Sequence, residues 1–314
     1  MSTVSRRSFV KGGSLFAGVS ALGLVACGGS GSSTAESATD ASTESTADSS
    51  AESTAESTAT TAESAEPMLV NEGKLTCISN MYFPPFEFMD EKTGEPMGFD
   101  IDLSKAIAEH MGLEANWTKE SNMGFDTLVP TIKSIDYSSG KAKGKADIAI
   151  AGMTITDKRK QEVDMSDPYL DSNQSLITRV DSTETLESLD ARGKQIAVQD
   201  GTTGEEWARE NLPVADASKG IVKLDDVINA MNGLNSKSYD AVITDLPVAM
   251  YQIEIEKNYP DLQIAEPIPT GEQYGIAVSK DNPALTAAIN EALAAVIADG
   301  TMKKLQVKWF GSEV

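Results

Sequence analysis

Two oppositely charged residues of this sequence lie shortly after apolar runs of the chain and have the chemistry to bind a zwitterion. Arg159 comes after the run 146–151, and its guanidinium can hold a carboxylate with two parallel hydrogen bonds. Asp245 directly follows the run 240–244, and its carboxylate can accept an ammonium group. A small molecule that carries both charges is therefore a candidate ligand.

A threonine and two aromatic residues complete this set. Thr203 has Glu206 three residues later, which is the spacing of a capping box at a helix start. The free N–H groups of such a start can also bind a carboxylate. Phe83 and Phe125 offer aromatic faces for an apolar stem.

Each of these residues also has an ordinary structural interpretation. In a chain with 24% charged residues, a single Arg or Asp is usually a surface charge. A threonine before a helix is usually only a cap, and a phenylalanine beside two prolines usually belongs to the core. Their joint placement after separate apolar runs favours a binding site.

Short apolar runs alternate with helical patterns, and this alternation predicts an α/β protein with parallel strands. Because ligands of such sheets bind beyond the carboxyl ends of the strands, residues that follow different strands are expected to meet. Helical spacing of apolar residues predicts helices at 102–111 and 284–298. Strands are predicted at 74–79, 146–151, 195–199, 240–244 and 275–279.

The composition of the 314 residues excludes several classes of function. Acidic residues outnumber basic ones by 48 to 26, so the net charge is -22, and this balance disfavours a nucleic-acid partner. His110 is the only histidine, and we expect it on the surface or at a rim. With two cysteines besides, the chain has too few ligands for a His/Cys zinc site. We expect no metal and no cofactor.

The first 27 residues are predicted to be an export signal. Arg6 and Arg7 resemble a twin-arginine motif, although the general secretory route remains an alternative. The apolar stretch 14–26 is too short to span a bilayer. Residues 24–27 resemble a lipobox, which implies that the thiol of Cys27 is acylated and that the mature protein is anchored to a membrane by lipid.

The segment 28–67 is a Ser, Thr, Ala and Glu repeat with eight acidic residues and no basic one. Such a composition predicts disorder, because it cannot bury enough apolar surface to offset the chain entropy. It is either a tether for the folded part or a solvated tail without a role. After cleavage Cys77 is the only other thiol, so no intramolecular disulfide is expected.

The rest of the chain resembles family 3 of the bacterial solute-binding proteins, the amino-acid receptors of ATP-driven importers. The resemblance extends from about residue 73 to residue 311, almost all of the chain after the linker. It is carried by seven motifs, namely FPPFEF at 83–88, GFDIDL at 98–103, AGMTITDKR at 151–159, SDPY at 166–169, VQDGTTG at 198–204, YGIAV at 274–278 and KWFG at 308–311.

The resemblance implies a type II periplasmic-binding-protein fold, with two lobes joined by two hinge strands. Each lobe would be a mostly parallel sheet flanked by helices. The first lobe would comprise 68–173 and 273–314, and the second 174–272. The loop 134–145 is longer than is usual in the family, and we expect it to be a surface loop.

The resemblance also implies a role for each site residue. Arg159, Thr202 and Thr203 would hold the α-carboxylate of a free amino acid. The Gly152 carbonyl, the Thr154 hydroxyl and Asp245 would hold its α-ammonium. Phe83 and Phe125 would flank the side chain, and Asn80 and Gln199 would meet its distal end. Because Asn80 and Gln199 are neutral amides, we expect a neutral, polar ligand.

Three functions are compatible with such a fold. The first is a lipid-anchored, monomeric receptor outside the cytoplasm that delivers an amino acid to an importer permease and its ATPase. The second is an enzyme on the same fold, and the third is a sensor that signals without transport. The candidate residues are binding groups rather than a catalytic acid or base, so we favour a receptor without enzymatic activity.

Overall fold

A computed structural model of the protein describes residues 66–189, 193–212 and 220–314. The predicted export signal, Cys27 and the linker up to residue 65 lie outside the described residues.

The first of two five-stranded sheets has the strand order β5-β1-β6-β13-β7. Strand β1 is parallel to both β5 and β6, whereas β13 is antiparallel to β6 and β7. The strands are β1 (Lys74–Ile78), β5 (Glu114–Asn116), β6 (Ile148–Ala149), β7 (Asp164–Met165) and β13 (Ala277–Val278). A small sheet of β2 (Tyr82–Phe83), β3 (Glu87–Met89) and β4 (Pro96–Met97) lies between β1 and the first helix in the chain.

The second sheet has the order β10-β9-β11-β8-β12. Strands β10 and β11 are parallel to β9, and β8 is antiparallel to both β11 and β12. The strands are β8 (Leu170–Arg179), β9 (Ile196–Gln199), β10 (Ile221–Leu224), β11 (Ala241–Asp245) and β12 (Leu262–Tyr274). The chain passes from the first sheet to the second through β8 and returns through β12.

Helices pack on both sheets and bury their strands. In the first sheet α1 (Phe99–His110) contacts β1 and β5, and α2 (Phe125–Lys133) contacts β6 and β13. Because both faces are covered, the central strands are almost entirely buried and mostly apolar, without alternation. The other helices are α3 (Asp157–Glu162), α4 (Thr203–Asn211), α5 (Val227–Asn235), α6 (Leu246–Met250), α7 (Pro283–Ala298) and α8 (Thr301–Phe310).

The sequence patterns located the elements well. All five predicted strands are confirmed within two residues of their predicted ends, and both predicted helices are confirmed. The sheets are more mixed than the expected mostly parallel arrangement, since two of the four pairings in each are antiparallel. The reason is that β8 and β12, which link the two sheets, and β13, which comes directly after β12 in the chain, do not follow a crossover helix.

Two peripheral expectations are also met. The loop 134–145 lies on the surface, where the backbones of Asp136 and Lys143 form an isolated β-bridge and the lysines are exposed, namely Lys141, Lys143 and Lys145. His110 is partly exposed, and its Nε2 lies 3.0 Å from Asp299 Oδ2. Within the ranges that the structure covers, no helix has the length and apolar character needed to cross a bilayer.

Gly98 lets the start of α1 approach the backbone of the small sheet. Its φ is +136°, and a Cβ at this position would lie 2.1 Å from the carbonyl oxygen of Phe86. The next two residues donate their N–H groups to the carbonyls of Pro85 and Phe86 at 2.8 and 2.9 Å. Only glycine combines this φ with so close an approach.

We predict that Gly98→Ala lowers the free energy of unfolding by about 3 kcal/mol or more, because it adds a backbone clash to an unfavourable φ. Gly140→Ala is a matched control: its φ is +71°, but an added Cβ meets no atom within 4 Å, so we expect a loss of only about 1 kcal/mol. Urea titration measures both. Equal losses in the two variants would contradict the close approach at Gly98.

Candidate functional site

Arg159 reaches from the first lobe to the second. The Thr156 side chain caps α3 by accepting the N–H of Arg159 at 3.1 Å, which fixes the base of the arginine. Its Nη1 donates to the Thr154 carbonyl at 2.6 Å, and its Nη2 donates to the Gly201 carbonyl at 3.2 Å. The guanidinium therefore bridges the cleft, and burial lowers its pKa against the opposing effect of nearby carboxylates.

The helix start opposite Arg159 is capped one residue earlier than the sequence pattern suggested. Thr202 is the cap of α4, and its hydroxyl accepts the N–H of Glu205 at 3.2 Å. The predicted cap, Thr203, is instead the first residue of the helix, and its hydroxyl points to Glu272 at 3.0 Å. The predicted capping box of Thr203 and Glu206 is therefore wrong, although a helix does start here.

Asp245 is the anionic end of the site. It ends β11, is 5% exposed, and its Oδ1 accepts from Gln174 Nε2 and from the Tyr274 hydroxyl, both at 2.9 Å. Burial raises the pKa of Asp245 to about 7, and the negative charge of Glu272 adds to this shift. The Tyr274 hydrogen bond and the charge of Arg159 oppose it. A ligand cation at Asp245 would favour the ionised carboxylate.

Glu272 links the two lobes and was not identified from the sequence. Its Oε2 accepts from Thr154 Oγ1 at 2.9 Å, Thr203 Oγ1 at 3.0 Å and Gln174 Nε2 at 3.1 Å. Glu272 and Gln174 lie on the hinge strands β12 and β8, not beyond the end of a strand. The rule that ligands bind beyond strand ends therefore missed them. The Thr-Gly-Glu sequence 270–272 was the available signal, because a glycine within a strand often marks a bulge.

The two neutral amides expected at the distal end do meet across the cleft. Gln199 Nε2 donates to Asn80 Oδ1 at 3.1 Å, and Asn80 Nδ2 donates to the Met123 carbonyl at 2.8 Å. Both residues are less than 5% exposed. Gln199 Oε1 is buried, and no donor among the described residues reaches it.

Gly152 is held by a buried carboxyl pair behind the cleft. Its φ is +50°, and its N–H donates to Asp100 Oδ2 at 2.7 Å. The Tyr169 hydroxyl donates to the same oxygen at 2.9 Å. Burial and the neighbouring Asp100 raise the pKa of Glu87 well above its usual value. Burial also raises the pKa of Asp100 to about 6.

The two aromatic residues occupy different places. Phe83 is buried, stacks on Phe86 and lies directly against Gly152. Phe125 is half-buried, and the Arg159 guanidinium lies 5.3 Å from its ring centre. A cavity of about 210 Å³ next to Arg159 is lined by Phe125 and Gly201, whereas Asn80, Gln199 and Asp245 are not among its lining residues.

The arrangement has the chemistry of a binding site for a charged small molecule. It combines a cation, a helix start and buried carboxylates from two lobes. In the part of the chain that the structure describes, no group of three or more His, Cys, Asp or Glu residues is placed to hold a metal ion.

Known proteins resemble this chain over most of its length. The "ABC transporter arginine-binding protein 1" of Escherichia coli K12 is 35% identical over 233 residues, which are 73% of this chain and 87% of that protein. The "ABC transporter glutamine-binding protein GlnH" of Bacillus subtilis 168 is 32% identical over 71% of this chain and 76% of that protein.

Solved structures confirm the two-lobed fold. An ancestral arginine-binding protein bound to glutamine has 38% sequence identity and a TM-score of 0.65, and the match covers 77% of this chain and 100% of that one. The arginine-, lysine-, histidine-binding protein ArtJ of Geobacillus stearothermophilus has 34% identity and a TM-score of 0.65, over 77% of this chain and 96% of that one.

The sequence pattern of the family described as "Bacterial extracellular solute-binding proteins, family 3" matches residues 75–312. This match covers nearly all of the chain after residue 67 and agrees with the two sheets joined by β8 and β12. The chain therefore belongs to family 3 of the bacterial extracellular solute-binding proteins.

Proposed function

We propose that this protein binds a free amino acid between its lobes and delivers it to an ATP-driven importer. One observation carries the proposal: the cleft holds a cation, Arg159, and a buried anion, Asp245, that come from different lobes and interact electrostatically. An amino acid carries the matching charges on adjacent groups. The relatives named for arginine and glutamine binding in ABC transporters support the same function.

The charged groups of the site have separate proposed roles. Arg159, together with Thr202 and Thr203 at the start of α4, binds the α-carboxylate. Thr154, Asp245 and the Gly152 carbonyl bind the α-ammonium, and Phe83 and Phe125 flank the ligand side chain. The hydrogen bonds that bring Thr154, Thr203 and Asp245 to one cluster support these assignments.

We propose that the ligand is neutral and polar, and that l-glutamine is the first candidate. The distal residues Asn80 and Gln199 carry no charge, so a charged ligand side chain would lose its hydration there without a compensating charge. Gln199 Oε1 is a buried acceptor that no donor of the described residues reaches, and a ligand amide can supply one.

The lobe boundaries are proposed to be 68–173 plus 273–314 and 174–272. The membership of the strands supports them: β1 to β7 and β13 lie in the first set of residues, and β9 to β11 lie in the second. The two hinge strands β8 and β12 cross from one to the other.

We further propose that the protein is a monomeric receptor and not an enzyme. One solved structure of 34% identity is an ancestral amino-acid-binding protein described as a precursor of cyclohexadienyl dehydratase, so catalysis is the natural alternative on this fold. The two functions differ in the fate of the ligand. A receptor releases the bound amino acid unchanged, and chromatography after incubation tests this.

The test of the proposed function is calorimetric titration of the purified protein with the twenty amino acids. We expect l-glutamine to bind and Arg159→Ala to weaken it by about two to three decades, because a desolvated carboxylate would lose its partner. Arg159→Lys should recover only part of the affinity, since the two-pronged hydrogen bonding is lost.

Lys160→Ala is the matched control, because Lys160 is an exposed cation on the same helix. It should bind l-glutamine like the wild type. Binding to Arg159→Ala within threefold of the wild type would show that the carboxylate assignment is wrong. Strongest binding of l-arginine, l-lysine, l-aspartate or l-glutamate would contradict the neutral ligand but not the receptor function.

Amino-acid affinity should fall as the pH drops below 7. Asp245 has a raised pKa of about 7 in the free protein, and the ligand ammonium favours its ionised form. Binding is therefore strongest above pH 7. Below pH 7 the proton on Asp245 must leave before the ammonium binds, so the affinity falls by up to about tenfold per pH unit. Calorimetry at pH 6 in buffers of different ionisation enthalpy should detect close to one released proton.

The charged and titratable groups around Asp245 are Arg159, Glu272 and Tyr274. Asp100, whose pKa is about 6, also titrates in this range. The Asp245→Asn variant separates the two carboxyls: it should bind more weakly and lose most of the dependence on pH. Equal wild-type affinity at pH 6 and pH 8 would rule out the ionised Asp245 as the ammonium partner.

We propose that lipid on Cys27 anchors the protein to the outer face of the cell membrane. The net charge of -22 disfavours attachment through a basic surface, whereas a lipid anchor contributes about 0.8 kcal/mol per buried methylene. The Cys27→Ala variant should leave the membrane fraction and still bind l-glutamine. If the exported variant remained with the membranes, lipid anchoring at Cys27 would be excluded.

A further inference from the structure

A bulge in the second hinge strand turns Glu272 into the cleft. The pairing of β12 with β8 shifts register between Ile268 and Glu272. Gly271, just before Glu272, has a φ of +64°, and its N–H donates to Asn173 Oδ1 at 3.0 Å. Bulges of this kind bend a strand and redirect a side chain. The Glu272 carboxylate consequently lies between the two lobes.

One oxygen of Glu272 fixes the direction of two hydroxyl groups. A carboxylate oxygen only accepts hydrogen bonds, so Thr154 and Thr203 must both donate to Oε2, over 2.9 and 3.0 Å. Each hydroxyl has a single proton. The two threonine oxygens lie 3.3 Å apart, but neither has a proton left to donate to the other.

The Thr154 hydroxyl can therefore only accept a further hydrogen bond, through its lone pairs. Asp245 is also an acceptor, and the Gln174 Nε2 group already donates to both carboxylates, over 2.9 and 3.1 Å. A ligand group that meets Thr154 and Asp245 must bring the protons itself. An α-ammonium has three N–H donors and no acceptor, which suits such surroundings.

We propose that Glu272 is a positioning residue that holds the Thr154 hydroxyl as an acceptor and so makes the site select ligands with an α-ammonium. This inference rests on the proposed amino-acid receptor function. It differs from a purely structural tie between the lobes, which would affect every ligand equally. It also differs from simple charge attraction, which would depend on the charge of Glu272 and not on its hydrogen bonds.

The probes are l-glutamine and glutaramate, which is glutamine without its α-amino group. Calorimetry and competition measure both dissociation constants for the wild type and for Glu272→Met and Glu272→Gln. The Glu272→Gln variant keeps the side-chain length and an acceptor oxygen but loses the charge. The Glu272→Met variant loses both the charge and the acceptor oxygen. Glu266→Met is the matched control, because Glu266 is a half-buried glutamate of the same strand that accepts the Leu186 N–H at 3.0 Å.

We expect Glu272→Met to bind l-glutamine at least tenfold more weakly than the wild type. We expect the same variant to bind glutaramate detectably, because the two threonine hydroxyls can then donate to the ligand. The preference for l-glutamine over glutaramate should fall at least tenfold in Glu272→Met and clearly less in Glu272→Gln. Glu266→Met should keep the wild-type preference. Melting curves with and without ligand show whether each variant is folded.

Three results would overturn the inference while the receptor function stands. The first is a preference of Glu272→Met for l-glutamine over glutaramate that stays within threefold of the wild-type preference. The second is undetectable binding of glutaramate by Glu272→Met. The third is an equal loss of this preference in Glu272→Gln and Glu272→Met. If the wild type prefers l-arginine, the same test uses l-arginine and 5-guanidinopentanoate. If the wild type binds no amino acid, the proposed function and this inference are both wrong.

Discussion

The geometry of the candidate site depends on one buried carboxylate, Asp100. Its Oδ2 accepts the Gly152 N–H at 2.7 Å and the Tyr169 hydroxyl at 2.9 Å, and so connects the start of α1, the turn after β6 and the entry to β8. The neighbouring Glu87, whose pKa is raised by burial, can carry the proton that the two carboxyl groups need in a dry interior. The hydrogen bond from the Gly152 N–H to Asp100 stabilises the positive φ of Gly152 beside Phe83.

The cleft contains two buried charged side chains, Arg159 and Asp245, whose hydrogen bonds are made to uncharged groups. Among the described residues, the Arg159 guanidinium donates its hydrogen bonds to two backbone carbonyls, and Asp245 accepts them from a tyrosine and an amide. Burying charges with such neutral partners costs free energy, as the pKa of about 7 at Asp245 shows. Under the proposed function, the charges of a bound zwitterion would offset this desolvation and so favour the ligand-bound state.

Local sequence patterns predicted the α/β class and placed two charged residues after strands, whereas the two-lobed fold was implied by the resemblance to the family. Arg159 and Asp245 follow strands, and the carboxyl ends of strands meet by topology. The predicted helix cap, Thr203, was one residue from the observed cap, Thr202. Two adjacent threonines have the same capping chemistry, and only the backbone conformation decides between them. Gln174 and Glu272 escaped detection because they lie inside long strands, where one register shift decides whether a side chain faces the cleft.

These missed residues make the hinge a part of the site. Gln174 on β8 and Glu272 on β12 share hydrogen bonds with Thr154 from one lobe and with Thr203 and Asp245 from the other. Any rotation of the lobes about these strands changes the distances from Glu272 Oε2 to both threonine hydroxyls. Hydrogen bonds weaken steeply with distance and angle, so the cluster forms only over a narrow range of lobe angles. In the proposed role of Glu272, the same oxygen atom would therefore orient the Thr154 hydroxyl and favour this one arrangement of the lobes.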